Sequence, residues 1–377
     1  MDLTLATPLL GGISADVFMR RHWQKKPLLV RGALPAGEAF VTRAQLFALA
    51  ARETVESRLI ERGAAGWGLR QGPFKRTALP PLQQAAWTLL VQGADLHLSG
   101  ARALLERFRF VPDARLDDVM VSYASDCGGV GPHVDSYDVF LLQLHGRRRW
   151  CIGRVADPSL LPGVPLKILA AFEPEQEWLL EPGDMLYLPP GWGHDGVAEG
   201  ECLTASIGFR AAGREQLGRE VLQRALDAGE PIDNDPLYRD PKQPATDTPG
   251  RIPAALQAFA ADAVARTLAA PRWLGCALGE VLSEPKPGVW FETALTPIGA
   301  GGVVLDRRSR MLYDDWHVFI NGESFQAAGR DATLMRRLAD QRSLSARERL
   351  ALSPPARELL DDWVAAGWIL MGQEMTP

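Results

Sequence analysis

The chain has 377 residues, 46% hydrophobic and 23% charged, and its 41 basic and 46 acidic side chains leave a net charge of −5. That length exceeds one typical core, so two or three domains are expected. No stretch approaches the roughly 20 uninterrupted apolar residues of a membrane span, and the acidic balance argues against broad nucleic-acid binding driven by counterion release while permitting attraction to a basic protein. Cys127, Cys151, Cys202 and Cys276 are widely spread with no CxxC pair, which argues against a disulfide framework or a thiolate zinc site. The first residues lack a basic segment followed by a long apolar core, so a cytoplasmic protein is expected.

In chain order, Ser14 opens a short helix through Phe18, and Lys26-Pro27-Leu28-Leu29-Val30 follows as a strand. Residues 42–52 and 81–90 space their apolar side chains at three and four, which predicts two helices. From 118 to 210 the texture becomes short strands cut by Gly and Pro: Val119 to Tyr123, Tyr137 to Leu144, Arg149 to Ile152 after the Gly146 break, Met185 to Leu188 after a Pro182-Gly183 turn, and Leu203 to Phe209. Many short strands with turns at regular spacing fit a double-sheet jelly roll, the architecture of cupins. Residues 211 to about 285 turn helical, interrupted by a Pro/Asp-rich loop or linker over 231–249. The last ninety or so residues alternate as strands at Val303 to Leu305 and His317 to Ile320, with an Asn321-Gly322 hairpin signal, then predict helices over 332–341 and 355–368. The fold class is therefore α+β, with a C-terminal module of winged-helix-like size.

The chemistry centres on His133-Val134-Asp135 and on His194, which closes a Pro189-Pro190-Gly191-Trp192-Gly193 run. Two imidazoles and one carboxylate are the ligand set of a non-haem Fe(II) site that keeps positions open for O2. In a strand, residues i and i+2 share a face, so His133 and Asp135 can grip one ion together while His194 arrives from another strand. Arg147-Arg148-Arg149-Trp150 is a second constellation. A guanidinium fork binds a carboxylate through two charge-assisted hydrogen bonds, and alternation sets Arg148 opposite Arg147 and Arg149. His22, His97, His145 and His317 have no comparable setting and read as structural.

These residues carry a resemblance. Asp117-Asp118-Val119-Met120-Val121-Ser122-Tyr123, Gly128 through Phe140 with the HVD run, Gly146-Arg147-Arg148-Arg149-Trp150, Glu181 through Gly191 and Ser206-Ile207-Gly208-Phe209-Arg210 resemble the bacterial JmjC-type ribosomal oxygenases, as does Trp23 through Arg31. The resemblance implies a JmjC catalytic domain over 1–210 with a double-stranded β-helix (jelly roll), a helical dimerisation region over 211–285 and a winged-helix-like domain over 286–377. It places the Fe(II) ligands on His133, Asp135 and His194, and the 2-oxoglutarate clamp on Arg148 with Ser122 and Thr204 beside it. Contacts to a substrate arginine fall on Asp118, Tyr137 and Ser206; a carboxylate at Asp118 is the natural partner of a guanidinium. The chain departs from the family pattern at Thr204, where Asn is common, and at Ser125-Asp126-Cys127.

The implied activity is hydroxylation, at the β-carbon, of an arginine in protein sixteen of the large ribosomal subunit, with 2-oxoglutarate and O2 consumed and succinate and CO2 released. The implied partners are that ribosomal protein and a second copy of the chain, with no membrane. DNA binding is not expected, because residues 303–377 hold ten arginines and no lysine against eleven acidic side chains. Two alternatives stand beside it: a ribosomal-protein histidine hydroxylase of the same family, which shares the iron site, and a cupin-like binding or regulatory protein whose metal is structural and which turns nothing over. Trp192, Tyr187 and Trp150 are candidates for keeping the site dry, with at least two expected to be ordinary core.

Overall fold

The computed structural model describes residues 2–35, 37–64, 66–227, 237–241, 250–268, 271–293, 299 and 301–372. It divides into two compact units, 1–211 and 212–377. Of the 231–249 loop or linker, all but 237–241 lies outside the described residues.

The first unit opens with a small hairpin, β1 (Ala6–Thr7) and β2 (Ile13–Ser14), followed by α1 (Ala15–Arg21), β3 (Leu28–Val30) and α2 (Arg43–Ala50). Both helices start where the sequence supplies a cap. The Ser14 hydroxyl accepts from the Val17 amide at 3.3 Å, and Thr42 and Gln45 form a reciprocal capping box. Then come β4 (Ser57–Gly63), β5 (Gly66–Gln71), β6 (Trp87–Val91), α3 (Ser99–Glu106) and β7 (Leu116–Ala124). The helix expected over 81–90 is absent: residues 83–86 are irregular and Trp87 to Val91 is a wholly buried strand between β4 and β7. A short apolar run buried on both faces carries no period that separates strand from helix, and cross-strand pairing decided it. The strands β4 and β5 lay outside the sequence expectations altogether.

The remaining strands are β8 (His133–Val134), β9 (Val139–Arg154), β10 (Gln176–Leu180), β11 (Met185–Leu188) and β12 (Trp192–Phe209). β9 and β12 run 16 and 18 residues. Each merges segments expected separately, and each serves two layers. Near one end they pair between β11 and β7, in the order β3-β11-β9-β12-β7-β6-β4-β5; near the other, β10 joins β9 and β8 joins β12. This is the expected jelly roll.

One face of the sheet packs on the N-terminal helices. Its core includes Phe18, Phe108, Phe140, Tyr187 and Phe209, ringed by edge and tilted aromatic contacts, with Val119, Val121 and Tyr123 of β7 and Leu203, Ala205 and Ile207 of β12. The opposite face lines the jelly-roll interior, where Val139, Leu141, Trp150, Ile152, Leu180, Leu186 and Leu188 form a second cluster. Tyr187 is therefore ordinary core, with its hydroxyl donating to buried Asp138 at 2.6 Å.

The second unit holds α4 (Arg214–Asp227), α5 (Ala254–Leu268) and α6 (Pro271–Ser283), then β13 (Val303–Leu305), β14 (Met311–Tyr313), β15 (His317–Ile320), β16 (Glu323–Gln326), α7 (Gly329–Gln341), β17 (Ser343–Leu344), α8 (Ala346–Leu350), α9 (Pro354–Ala365) and β18 (Ile369–Met371). The strands form two three-stranded sheets, β17-β13-β18 and β14-β15-β16, around a core of Val303, Ile320, Leu338, Leu360, Trp363 and Ile369. Asn321 and Gly322 take φ of 51° and 89°, the left-handed pair that a two-residue hairpin requires. Among the described residues no helix is long and apolar enough to cross a membrane.

Candidate metal centre and its pocket

His133 lies in β8, which pairs His133 directly with His194 at the start of β12, and Asp135 follows one residue past the strand. His194 thus arrives from another strand, as expected, directly after its Pro-Pro-Gly turn. The Nε2 atoms of His133 and His194 stand 4.0 and 3.6 Å from Asp135 Oδ2, and one ligand atom from each residue falls within 4.8 Å of the others. Among the described residues this is the one such cluster.

The tautomers follow from the neighbours. His133 Nδ1 lies 2.9 Å from the Gly131 carbonyl and His194 Nδ1 lies 3.1 Å from the Trp192 carbonyl, so each Nδ1–H donates to backbone. Both Nε2 lone pairs are then left facing Asp135, as metal ligation requires. His194 is buried while His133 and Asp135 are half-buried, so the cluster has a closed side and an open one. Burial, reinforced by His133 and Arg148, pushes the His194 pKa down to about 3, keeping the imidazole neutral and able to ligate. Burial also raises Asp135, against the pull of His133 and a Tyr137 hydrogen bond. The donor set, its tautomers and its one open side fit a divalent metal with free coordination positions.

His194 sets a pH response in the metal-free protein. Its folded pKa lies below the unfolded 6.5, so between pH 6.5 and about 3 the unfolded chain binds a proton that the folded chain refuses. Stability is complete above 6.5 and falls as the pH drops, by at most about 1.4 kcal/mol per pH unit. In chelator-treated protein, His194→Asn should flatten the decline in Tm between pH 7 and 5; equal slopes would rule His194 out as its source.

Deeper in the interior, Arg148 is 3% exposed. Its Nη1 donates to the Ser122 hydroxyl at 3.1 Å and to Thr204 at 3.3 Å, and its Nη2 donates to the Gly196 carbonyl at 3.3 Å. Every one of those acceptors is neutral, and the buried Nε–H has no partner among the described residues. A buried guanidinium without a counter-anion is costly, and the open Nε–H gives a carboxylate a place to bind. Arg147 and Arg149 point the other way, to Glu199 and to Glu177 with Glu199, as alternation requires.

Which arginine faces inward is set at Gly146. Val139 and Leu141 face the interior at odd positions, yet past Gly146 the inward residues are the even ones, Arg148, Trp150 and Ile152. The register against β12 slips twice in this corner, between Glu199 and Leu203, which pair with Arg147 and His145 on either side of Gly146, and between Leu203 and Thr204, which pair with His145 and Gln143: the signature of a bulge. Gly146 takes φ +63°, and a Cβ there would meet the Glu201 carbonyl at 2.1 Å, so only glycine fits.

Asp118, Met120 and Ser122 lie on one face of β7, beside Thr204 and Ser206 of β12, with Thr204 paired to Ser122 and Ser206 to Met120. Asp118 is 2% exposed and accepts from Gln92 Nε2 and the Gly93 amide, both at 2.9 Å. Gln92 in turn accepts from Arg58 at 3.2 Å. Tyr137 is 39% exposed and stands two residues past Asp135. Burial with the charges of Asp135, Asp118 and Asp117 pushes its hydroxyl above the usual tyrosine range. The structure thus gathers all nine expected site residues in one region. It adds Arg58 and Gln92, whose neighbourhood is created by long-range strand pairing that no local pattern announces. Trp150 lies tilted beside His194, with ring centroids 5.9 Å apart, and Trp192 packs on the same interior cluster.

Fold and site together have the features of a JmjC-type domain: a jelly roll holding two histidines and a carboxylate, with a buried arginine behind them. Comparison with known proteins agrees. A JmjC domain model matches residues 103–217 and a ROXA-like winged helix model matches 266–369. The ribosomal protein uL16 3-hydroxylase of Escherichia coli is 37% identical over 232 residues, 60% of each chain. A probable ribosomal oxygenase of Haemophilus influenzae is 36% identical over 203 residues, 52% of this chain and 50% of that one. The chain thus spans half to three-fifths of these curated relatives. The solved E. coli ribosomal oxygenase YcfD superposes with a TM-score of 0.83 at 28% identity, over 96% of this chain and 98% of that one. Its complex with cobalt and 2-oxoglutarate gives 0.79 at 28%, over 95% and 98%. The chain thus matches a JmjC domain and a ROXA-like winged helix, and it is similar over nearly its whole length to a solved ribosomal oxygenase.

Proposed function

We propose that this protein is a 2-oxoglutarate- and Fe(II)-dependent oxygenase that hydroxylates an arginine side chain of ribosomal protein uL16. The observation that carries the reading is the buried, anion-free guanidinium of Arg148 in the same interior as the His133, Asp135 and His194 cluster. His133, Asp135 and His194 hold the metal. Arg148 takes the distal carboxylate of 2-oxoglutarate, in a pocket that Ser122 and Thr204 complete. Bound iron supplies oxygen activation, coupled to conversion of 2-oxoglutarate to succinate and CO2.

The protein's own residues orient and shield. Trp150 and Ile152 form a dry wall beside His194. Asp118 receives the substrate guanidinium, which a carboxylate pairs with more strongly than it pairs with a neutral imidazole. Tyr137 and Ser206 flank it and direct the side chain toward the metal. The histidine alternative draws support from a Drosophila relative named a lysine-specific demethylase and histidyl-hydroxylase, 26% identical over 218 residues; the Asp118 carboxylate favours arginine. On α4 and α5, exposed Leu222, Leu226, Phe259 and Val264 offer an apolar surface for a second copy of the chain.

Mass spectrometry of ribosomal proteins from cells with and without this protein is the test. An arginine of uL16 that gains the mass of one oxygen atom only when the protein is present is the expected result. Gain on a histidine of another ribosomal protein would overturn the substrate assignment.

A further inference from the structure

Gln143 is wholly buried and belongs to no role described so far. It stands opposite Thr204, on the β9 side of the Gly146 bulge. A bulge takes carbonyls out of the ladder, and Gln143 Nε2 donates to two of them, His145 at 2.8 Å and Gly146 at 3.2 Å. With both amide hydrogens so placed, the orientation of the amide is fixed and its oxygen faces Thr204. The Thr204 hydroxyl donates to Gln143 Oε1 at 3.0 Å. A hydroxyl has one hydrogen, so toward Arg148 Nη1, at 3.3 Å, Thr204 acts as an acceptor. The buried Cys202 thiol also lies against Gln143 and Thr204.

We infer that Gln143 is a positioning residue for co-substrate binding, which holds the Thr204 hydroxyl as an acceptor for Arg148 and so aims the guanidinium at the distal carboxylate. Thr204 then acts through Arg148 and not by donating to the dicarboxylate itself. This inference rests on the proposed 2-oxoglutarate site.

The test is calorimetric titration of 2-oxoglutarate into Mn(II)-loaded protein without oxygen, with the steady-state 2-oxoglutarate KM measured alongside. Gln143→Met should weaken binding about tenfold, the scale of an outer-shell loss, with Mn(II) affinity changed less than twofold. Gln143→Asn, which retains an amide for the bulge carbonyls but falls a methylene short of Thr204, should do the same and stands in if the Met variant does not fold. Thr204→Val should match them, Thr204→Ser should recover to within about threefold, and Gln143→Met with Thr204→Val should be no worse than either alone. Thr204→Val should add nothing in an Arg148→Met background. Normal co-substrate binding in both Gln143 variants, or additive losses in either double variant, would overturn the inference. Wild-type protein that binds no 2-oxoglutarate would instead sink the proposed function on which it rests.

Discussion

His133→Ala and Asp135→Ala should each reduce iron-dependent succinate formation to the level seen without enzyme. The expectation follows from a cluster in which Asp135 Oδ2 lies 4.0 and 3.6 Å from the two Nε2 atoms, so that each residue supplies a third of the protein's ligand set. Both residues are half-buried, and neither belongs to a hydrophobic cluster. Their loss should therefore leave the metal-free fold near wild-type stability. A second readout separates ligation from folding. Saturating Mn(II) stabilises the wild-type protein by mass action, about 2.7 kcal/mol at a hundred times its dissociation constant, and in either variant that increment should disappear. Full turnover in either variant would sink the metal assignment.

Arg148→Met should raise the 2-oxoglutarate requirement by roughly 10- to 100-fold, the size of a charge-assisted hydrogen-bond loss of about 1.5–3 kcal/mol, with metal affinity little altered. The same substitution should leave the co-substrate-free protein no less stable. A buried cation that hydrogen-bonds only hydroxyls and a carbonyl and lies over the Trp150 ring pays desolvation without an ion-paired carboxylate, and an unbranched apolar side chain removes that cost. A purely structural arginine would behave oppositely, losing stability on replacement while co-substrate dependence stayed put. Measuring Tm without 2-oxoglutarate and KM with it distinguishes the two. Unchanged KM would assign the carboxylate clamp to another residue.

Local chemistry made much of the fold legible in the sequence. The helices starting at Ser14 and Thr42, the Asn321-Gly322 hairpin and the strand after Pro182-Gly183 all depend on residues within a few positions of one another, and all formed as expected. What escaped was non-local. Trp87 to Val91 reads equally well as helix until β4 and β7 claim its two edges. The double use of β9 and β12 by two layers cannot be inferred from segments whose alternation breaks in the middle. At the site, the HxD spacing put two candidate ligands on one face, whereas the Gln92 amide against Asp118 and the Gln143 amide against Thr204 join residues 26 and 61 positions apart. Such partners surface only once the sheet order is known.

The Gly146 bulge bears on how this pocket acquired its cation. Three consecutive arginines, chemically identical, occupy 147 to 149, and two of them end in solvent-side ion pairs. Selection among the three rests with parity, which a residue lacking any side chain decides three positions downstream of Gln143. One residue gained or lost in that corner would hand the interior to Arg147 or Arg149 and turn Arg148 out, with composition hardly changed. The positive charge in this pocket is therefore encoded as a count along the strand as much as by the identity of any one arginine.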